Sequence, residues 1–107
     1  MEKNCDFKQI LQEFMPNQKV LADIASFFDV FSDITRIKMI IALSLREMCV
    51  TDLTDILKLH QSTVSHQLKL LRDANIVSYK RAGKQLYYYI SNRHVEELML
   101  TCAQNLE

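Results

Sequence analysis

Glycine and proline are nearly absent: the 107 residues hold one of each, Gly83 and Pro16. So few chain breakers exclude a fold of many tight turns and predict a mainly helical one. Cysteine is scarce as well, and its count of three is odd. That argues against a disulfide framework and leaves reduced thiols serving as ligands, redox sensors or small apolar packers. No apolar run reaches membrane-spanning length, and Met1 to Asp6 is too polar for a signal-peptide core, so a cytoplasmic protein is expected. A glycine-rich phosphate loop, a Ser/His/Asp set and a paired-carboxylate site are all missing, and no enzymatic activity is expected. There is no repeat, low-complexity tract or interdomain linker, and this length suits one domain with one modest core.

Net charge is also missing, 13 basic residues balancing 13 acidic ones. The zero conceals an asymmetry. Between His60 and His94 lie Lys69, Arg72, Lys80, Arg81, Lys84 and Arg93 against the single acid Asp73, six bases to one acid. A positive segment in an otherwise acidic chain points to a local anionic partner.

Phe7, Ile10, Leu11 and Phe14 recur at helical spacing, which predicts a helix from about Asp6 to Met15, ended by Pro16 and Asn17. Val20, Leu21, Ile24, Phe27, Phe28 and Phe31 define a second helix whose apolar arc is wide enough to need two neighbours. A second copy of the chain can be one of them. Ser32 is the expected cap of a third helix, Asp33 to about Leu45, with Ile34, Ile37, Ile40, Ile41 and Leu45 inward. Thr51 is the expected cap of a short fourth helix reaching Leu57, with Asp52 favoured at the positive end of its dipole. Cys49 then lies just before a helix amino terminus, where thiolate is favoured.

Gln61 to Leu71 carries the densest signal. At 100° per residue Val64, Leu68 and Leu71 share one side of a helix while Ser62, His66 and Lys69 lie opposite. Small hydrogen-bonding groups with one cation suit a groove better than a catalytic cleft. Ser and Thr bond phosphates or base edges, and Gln61 or Gln67 can take a bidentate adenine contact. An amphipathic helix whose polar side meets only water is the plainer account of this stretch alone. Lys58-Leu59-His60 connects it tightly to the preceding helix, giving helix-turn-helix proportions. Val77 to Lys80 and Leu86 to Ile90 read as strands joined by Ala82-Gly83-Lys84. A helix-turn-helix followed by a basic hairpin is the winged-helix plan, with Arg81 and Lys84 at the wing tip for phosphates or the minor groove. Ser91 or Asn92 caps a last helix whose stripe, Val95, Leu98, Met99, Cys102 and Leu106, is assigned to a dimer interface with the amino-terminal helices. Docking of that stripe on the chain's own core is the alternative.

Asp33-Ile34-Thr35-Arg36, Glu47-Met48-Cys49-Val50-Thr51-Asp52-Leu53, the Gln61 to Leu71 helix and Arg81-Ala82-Gly83-Lys84 with Tyr87-Tyr88 follow one another in an order that resembles the ArsR/SmtB family of winged-helix repressors. The resemblance runs from about Phe27 onward. The expected fold is mainly α (α+β), a winged helix-turn-helix of five to six helices with a two-stranded β-hairpin wing. Residues 1–107 would form a single DNA-binding domain whose N- and C-terminal helices dimerise. The resemblance implies a homodimeric, sequence-specific repressor on a double-stranded operator, derepressed by a metal ion or thiol-reactive ligand. Its expected DNA-binding residues are Gln61, Ser62, Thr63, Ser65, His66 and Lys69 on the helix and Arg81 and Lys84 on the wing. The alternatives are a winged-helix protein-interaction module without DNA binding, and a family repressor with no metal sensing.

Three departures stand out. Ile34 replaces the family's Pro, His66 and Gln67 invert its usual placement of His, and Lys58 stands where Gly often ends the preceding helix. A left-handed backbone at Lys58 would cost about 1 kcal/mol. Metal-sensing members join cysteines of the Cys49 segment to amino-terminal ones, and here Cys49 and Cys5 are the candidates, Thr51 filling the second position. Two thiolates fall short of the three or four soft ligands a tight site for zinc, cadmium, lead or copper(I) needs. Burial of Cys49 as a packed apolar group is the equal alternative. The family's other site, on the last helix, keeps only His94, because Asn92 and Asn105 replace its ligands.

Overall fold

The computed structural model describes residues 2–106, with side-chain surroundings from Asp6 onward. Six helices and one hairpin follow in order: α1 (Glu2–Phe14), α2 (Gln18–Asp29), α3 (Ile34–Leu45), α4 (Val50–Leu57), α5 (Gln61–Asp73), β1 (Val77–Ala82), β2 (Gln85–Ile90) and α6 (Arg93–Asn105). The winged helix-turn-helix expected from the chain is the architecture found.

Pro16 and Asn17 separate the first two helices as predicted, and Asn17 Oδ1 caps α2 by accepting from the Val20 N–H at 2.9 Å. α1 begins nearer the amino terminus than its apolar spacing suggested, and α2 stops at Asp29. Neither helix lies within the core. Phe14 is 79% exposed and Phe7, Ile10, Phe28 and Ile24 are also open, so the molecule is drawn out to 63 × 32 × 21 Å. Among the described residues of this region, Phe27 at the end of α2 and Val30 and Phe31 of the turn after it reach the core.

The predicted cap of α3 is corrected. Asp33 Oδ2 accepts from the Arg36 N–H at 3.1 Å, while the Ser32 hydroxyl turns back to the Asp29 carbonyl at 2.7 Å. The inward set shifts too: Ile40 is buried as expected, but Ile34 and Leu45 are 74% and 73% exposed, and Met39 and Leu43 are buried in their place. Position in the helix explains it. Ile34 and Leu45 are the first and last residues of α3. The α4 cap moves as well, from Thr51 to Cys49, whose N–H donates to Asp52 Oδ2 at 3.3 Å.

The core gathers Met39, Ile40 and Leu43 of α3, Leu53 of α4, Val64, Leu68 and Leu71 of α5, Ile76, Val77 and Tyr88 of the hairpin region, and Val95 and Met99 of α6. The C-terminal stripe is therefore divided. Val95 and Met99 dock on the chain's own core, correcting their assignment to a dimer interface, whereas Leu98 and Leu106 face outward. Asn92 caps α6, its Oδ1 accepting from the His94 and Val95 N–H groups at 3.1 and 3.3 Å.

β1 and β2 pair antiparallel from Val77↔Ile90 to Ala82↔Gln85, with Gly83-Lys84 as the two-residue loop. Gly83 has φ +66°, which an L side chain adopts only at a cost. Met48 adds a third contact to this ribbon. Its N–H donates to the Tyr88 carbonyl at 3.1 Å, and the Tyr88 N–H returns to the Met48 carbonyl at 2.8 Å. The wing is thus pinned to the α3–α4 connection.

Candidate nucleic-acid interface

The α4–α5 turn sets the site. Lys58 takes the left-handed conformation at φ +55°, ψ +51°, the backbone a Gly would hold without strain, and its N–H closes α4 on the Thr54 carbonyl. His60 then starts α5 in an extended conformation. The next helix leaves along a new axis after only three residues.

Val64, Leu68 and Leu71 are each no more than 1% exposed, so the phase of α5 is locked by burial. Fully burying a side chain of this size stabilises by about 1.5–3 kcal/mol. Gln61, Ser62, Ser65, His66 and Lys69 consequently stand exposed, while Thr63 is half-buried. Gln67 is half-buried as well, and its Oε1 accepts from Arg36 Nη1 at 3.5 Å. A bidentate adenine contact would require that same oxygen, so Gln67 reads as an anchor more than a reader. Nothing in spacing alone reveals this, since 31 residues separate the pair.

β1 follows α5 after a short turn, with Asn75 at φ +60°, and rests against it. Arg81 and Lys84 are exposed at the far end of the hairpin, and neither has an ion-pair partner among the described residues. Lys80 differs. Its Nζ lies 2.9 Å from Glu47 Oε2, so its charge is already matched. Arg72 is also engaged, its guanidinium 5.1 Å from the centre of the Tyr79 ring. Among the described cations of α5 and the hairpin, those left free are Lys69 and the wing-tip pair.

The sensor candidates separate. Cys49 is 6% exposed with its thiol free, at the amino end of α4 and one residue from the Met48–Tyr88 bridge. Cys102 is half-buried and lines a cleft of about 460 Å³ with Phe31, Ile37, Ile41, Met99, Ala103 and Leu106. Cys5 has a side chain outside the described residues. His60 and His94 are exposed. Among the described residues no three His, Cys, Asp or Glu side chains converge as a metal site.

The model of the family described as "Bacterial regulatory protein, arsR family" matches residues 33–79, from the α3 cap into β1. The crystal structure of the transcriptional repressor PagR of Bacillus anthracis is 31% identical and superposes with a TM-score of 0.70, covering 79% of this chain and 98% of that one. The chain belongs to the arsR family. Within it, the transcriptional repressor SmtB homolog of Synechocystis sp. is 38% identical over 84 residues, 78% of this chain and 64% of that protein. The cadmium resistance transcriptional regulatory protein CadC homolog of Staphylococcus aureus is 40% identical over 78 residues, 72% of this chain and 64% of that protein. The chain thus spans a little under two thirds of these relatives' length. The arsR family and its fold are those of transcription regulators. Among the described residues no helix is long and apolar enough to cross a membrane.

Proposed function

We propose that this protein is a homodimeric, sequence-specific transcriptional repressor that acts on double-stranded DNA in the cytoplasm. The carrying observation is the burial of Val64, Leu68 and Leu71, which leaves Gln61, Ser62, Ser65, His66 and Lys69 on the open side of α5. In this reading α5 enters the major groove, with Thr63 at its margin, and Arg81 and Lys84 grip flanking phosphates or the minor groove. Residues 1–107 act as one domain. Its terminal helices dimerise, which accounts for open apolar side chains at Phe7, Phe14, Phe28 and Leu106 that a lone chain leaves in water.

The inducer in this proposal is a soft or borderline metal ion, zinc, cadmium, lead or copper(I), or a thiol-reactive compound. Cys49 receives it, with Cys5 as the second thiol. The relative named as a cadmium resistance regulatory protein supports a soft metal ion as the signal. Cys49 also caps α4, which packs against α5, and adjoins the residue bridged to the wing, so a change there reaches the wing directly and the reading helix through α4.

Titration of a duplex from upstream of the protein's own gene across a range of salt tests the proposal. Each neutralised phosphate contributes about −0.9 to the slope of log affinity on log salt, so a steep fall is expected. A slope near zero with no preference over a scrambled duplex, together with co-purification of a larger protein, would favour an interaction module instead.

A further inference from the structure

Arg36 occupies a junction that DNA contact alone does not explain. Its Nε donates to the carbonyl of Val30, the residue closing α2, at 2.8 Å. Its Nη1 donates to Gln67 Oε1 of α5 at 3.5 Å, and Asp33 Oδ2 of the α3 cap lies 4.0 Å from Nε. The side chain is only 19% exposed. Ion pairs aside, the Arg36–Gln67 bond is the one side-chain to side-chain hydrogen bond joining two helices among the described residues.

What otherwise holds α5 is apolar. Val64, Leu68 and Leu71 pack without directional bonds, so burial sets which side of the helix faces inward but only weakly opposes small tilts or slides along its neighbours. A guanidinium resists such motion because its planar fork holds two acceptors at set angles. One acceptor is on the reading helix and the other at the end of α2, beside the exposed Phe28.

We propose that Arg36 is a positioning residue for DNA recognition, tying the angle of α5 to the α2–α3 corner through Gln67. The inference rests on the repressor reading above. Arg36 itself need touch no DNA. It places Ser62, Ser65 and His66 relative to base edges, and an α5 free to tilt still meets phosphates but loses register with bases.

The test compares the parent with Arg36→Lys, Gln67→Leu and the double variant on two probes, the duplex upstream of its own gene and a scrambled duplex of equal length, across a salt series. Arg36→Lys keeps the charge and removes the fork. Each single change is expected to lower affinity for the upstream duplex about tenfold, as loss of one well-placed recognition contact does. Affinity for the scrambled duplex, the salt slope and the sedimentation of the dimer should stay at parent values. The double variant should be no worse than the poorer single, because both changes cut one link. Gln67→Glu, which keeps an acceptor facing Arg36, should retain the parent's preference.

Arg36→Ala, which removes the charge, is run in the same salt series: a slope reduced by about 0.9 in it would make Arg36 a phosphate contact and overturn the proposal. So would additive losses in the double variant, or an unchanged preference in both singles. If Arg36→Lys proves unstable, Gln67→Leu decides alone. A parent showing no preference for the upstream duplex would instead sink the repressor reading, and this inference with it.

Discussion

Lys58 holds a left-handed backbone at φ +55° in the turn of the helix-turn-helix. The cost suspected from the missing Gly is thereby located at a single exposed residue. Lys58→Gly should stabilise the protein by about 0.5–1 kcal/mol, read as a raised thermal midpoint, because Gly enters this region without a Cβ clash. Lys84 belongs to a different account, charge without a protein partner. Lys84→Ala should reduce the salt slope of DNA binding by about 0.9 while leaving sequence preference unchanged, as measured by titration on matched and scrambled duplexes. Cys49 is the third residue with a separable role. Cys49→Ser should bind DNA as the parent does yet resist release by zinc, cadmium, copper(I) or a persulfide donor. Normal release by all four would remove Cys49 as the sensor. Cys49 is buried, as a packed apolar group would be, and this release assay decides whether it also senses.

Among the elements, α5 was the most legible in advance. Three apolar residues at helical spacing fall on one side, and all three are buried. Leu68→Ala should cost about 2–5 kcal/mol, visible as a lower urea midpoint with unchanged slope, since the site is enclosed on all sides. α3 was read less well. Its apolar residues surround much of the helix, so spacing alone could not say that Met39 and Leu43 would be enclosed while Ile34 and Leu45 stayed open. The caps moved for a related reason. Ser32 and Thr51 have suitable hydroxyls, but the chain's path gives the start of α3 to Asp33 and that of α4 to Cys49. The hairpin was recognised from its single Gly and its tyrosines. Its fastening to Met48 joins residues 40 positions apart, which no local pattern announces.

At the scale of the whole molecule, α1 and α2 run out from a body whose core they barely enter. Phe7→Glu combined with Phe14→Glu should leave that body folded, because both side chains are already exposed, and should convert a dimer into single chains. Sedimentation at several concentrations checks this, and DNA affinity should fall in parallel, since two half-sites are then no longer held together. Unchanged sedimentation would mean that the helices do not form the interface.

Local patterning by itself determined the order of helices and strands, the inward side of α5, the basic hairpin and the family, because each depends on residues within a few turns of one another. Tertiary structure alone decided which cations remain free, which α3 side chains are enclosed, how the wing is fastened and what Gln67 does. Glu47 meets Lys80 and Arg36 meets Gln67 only after folding brings distant segments within hydrogen-bond reach, and linear spacing carries no measure of that distance.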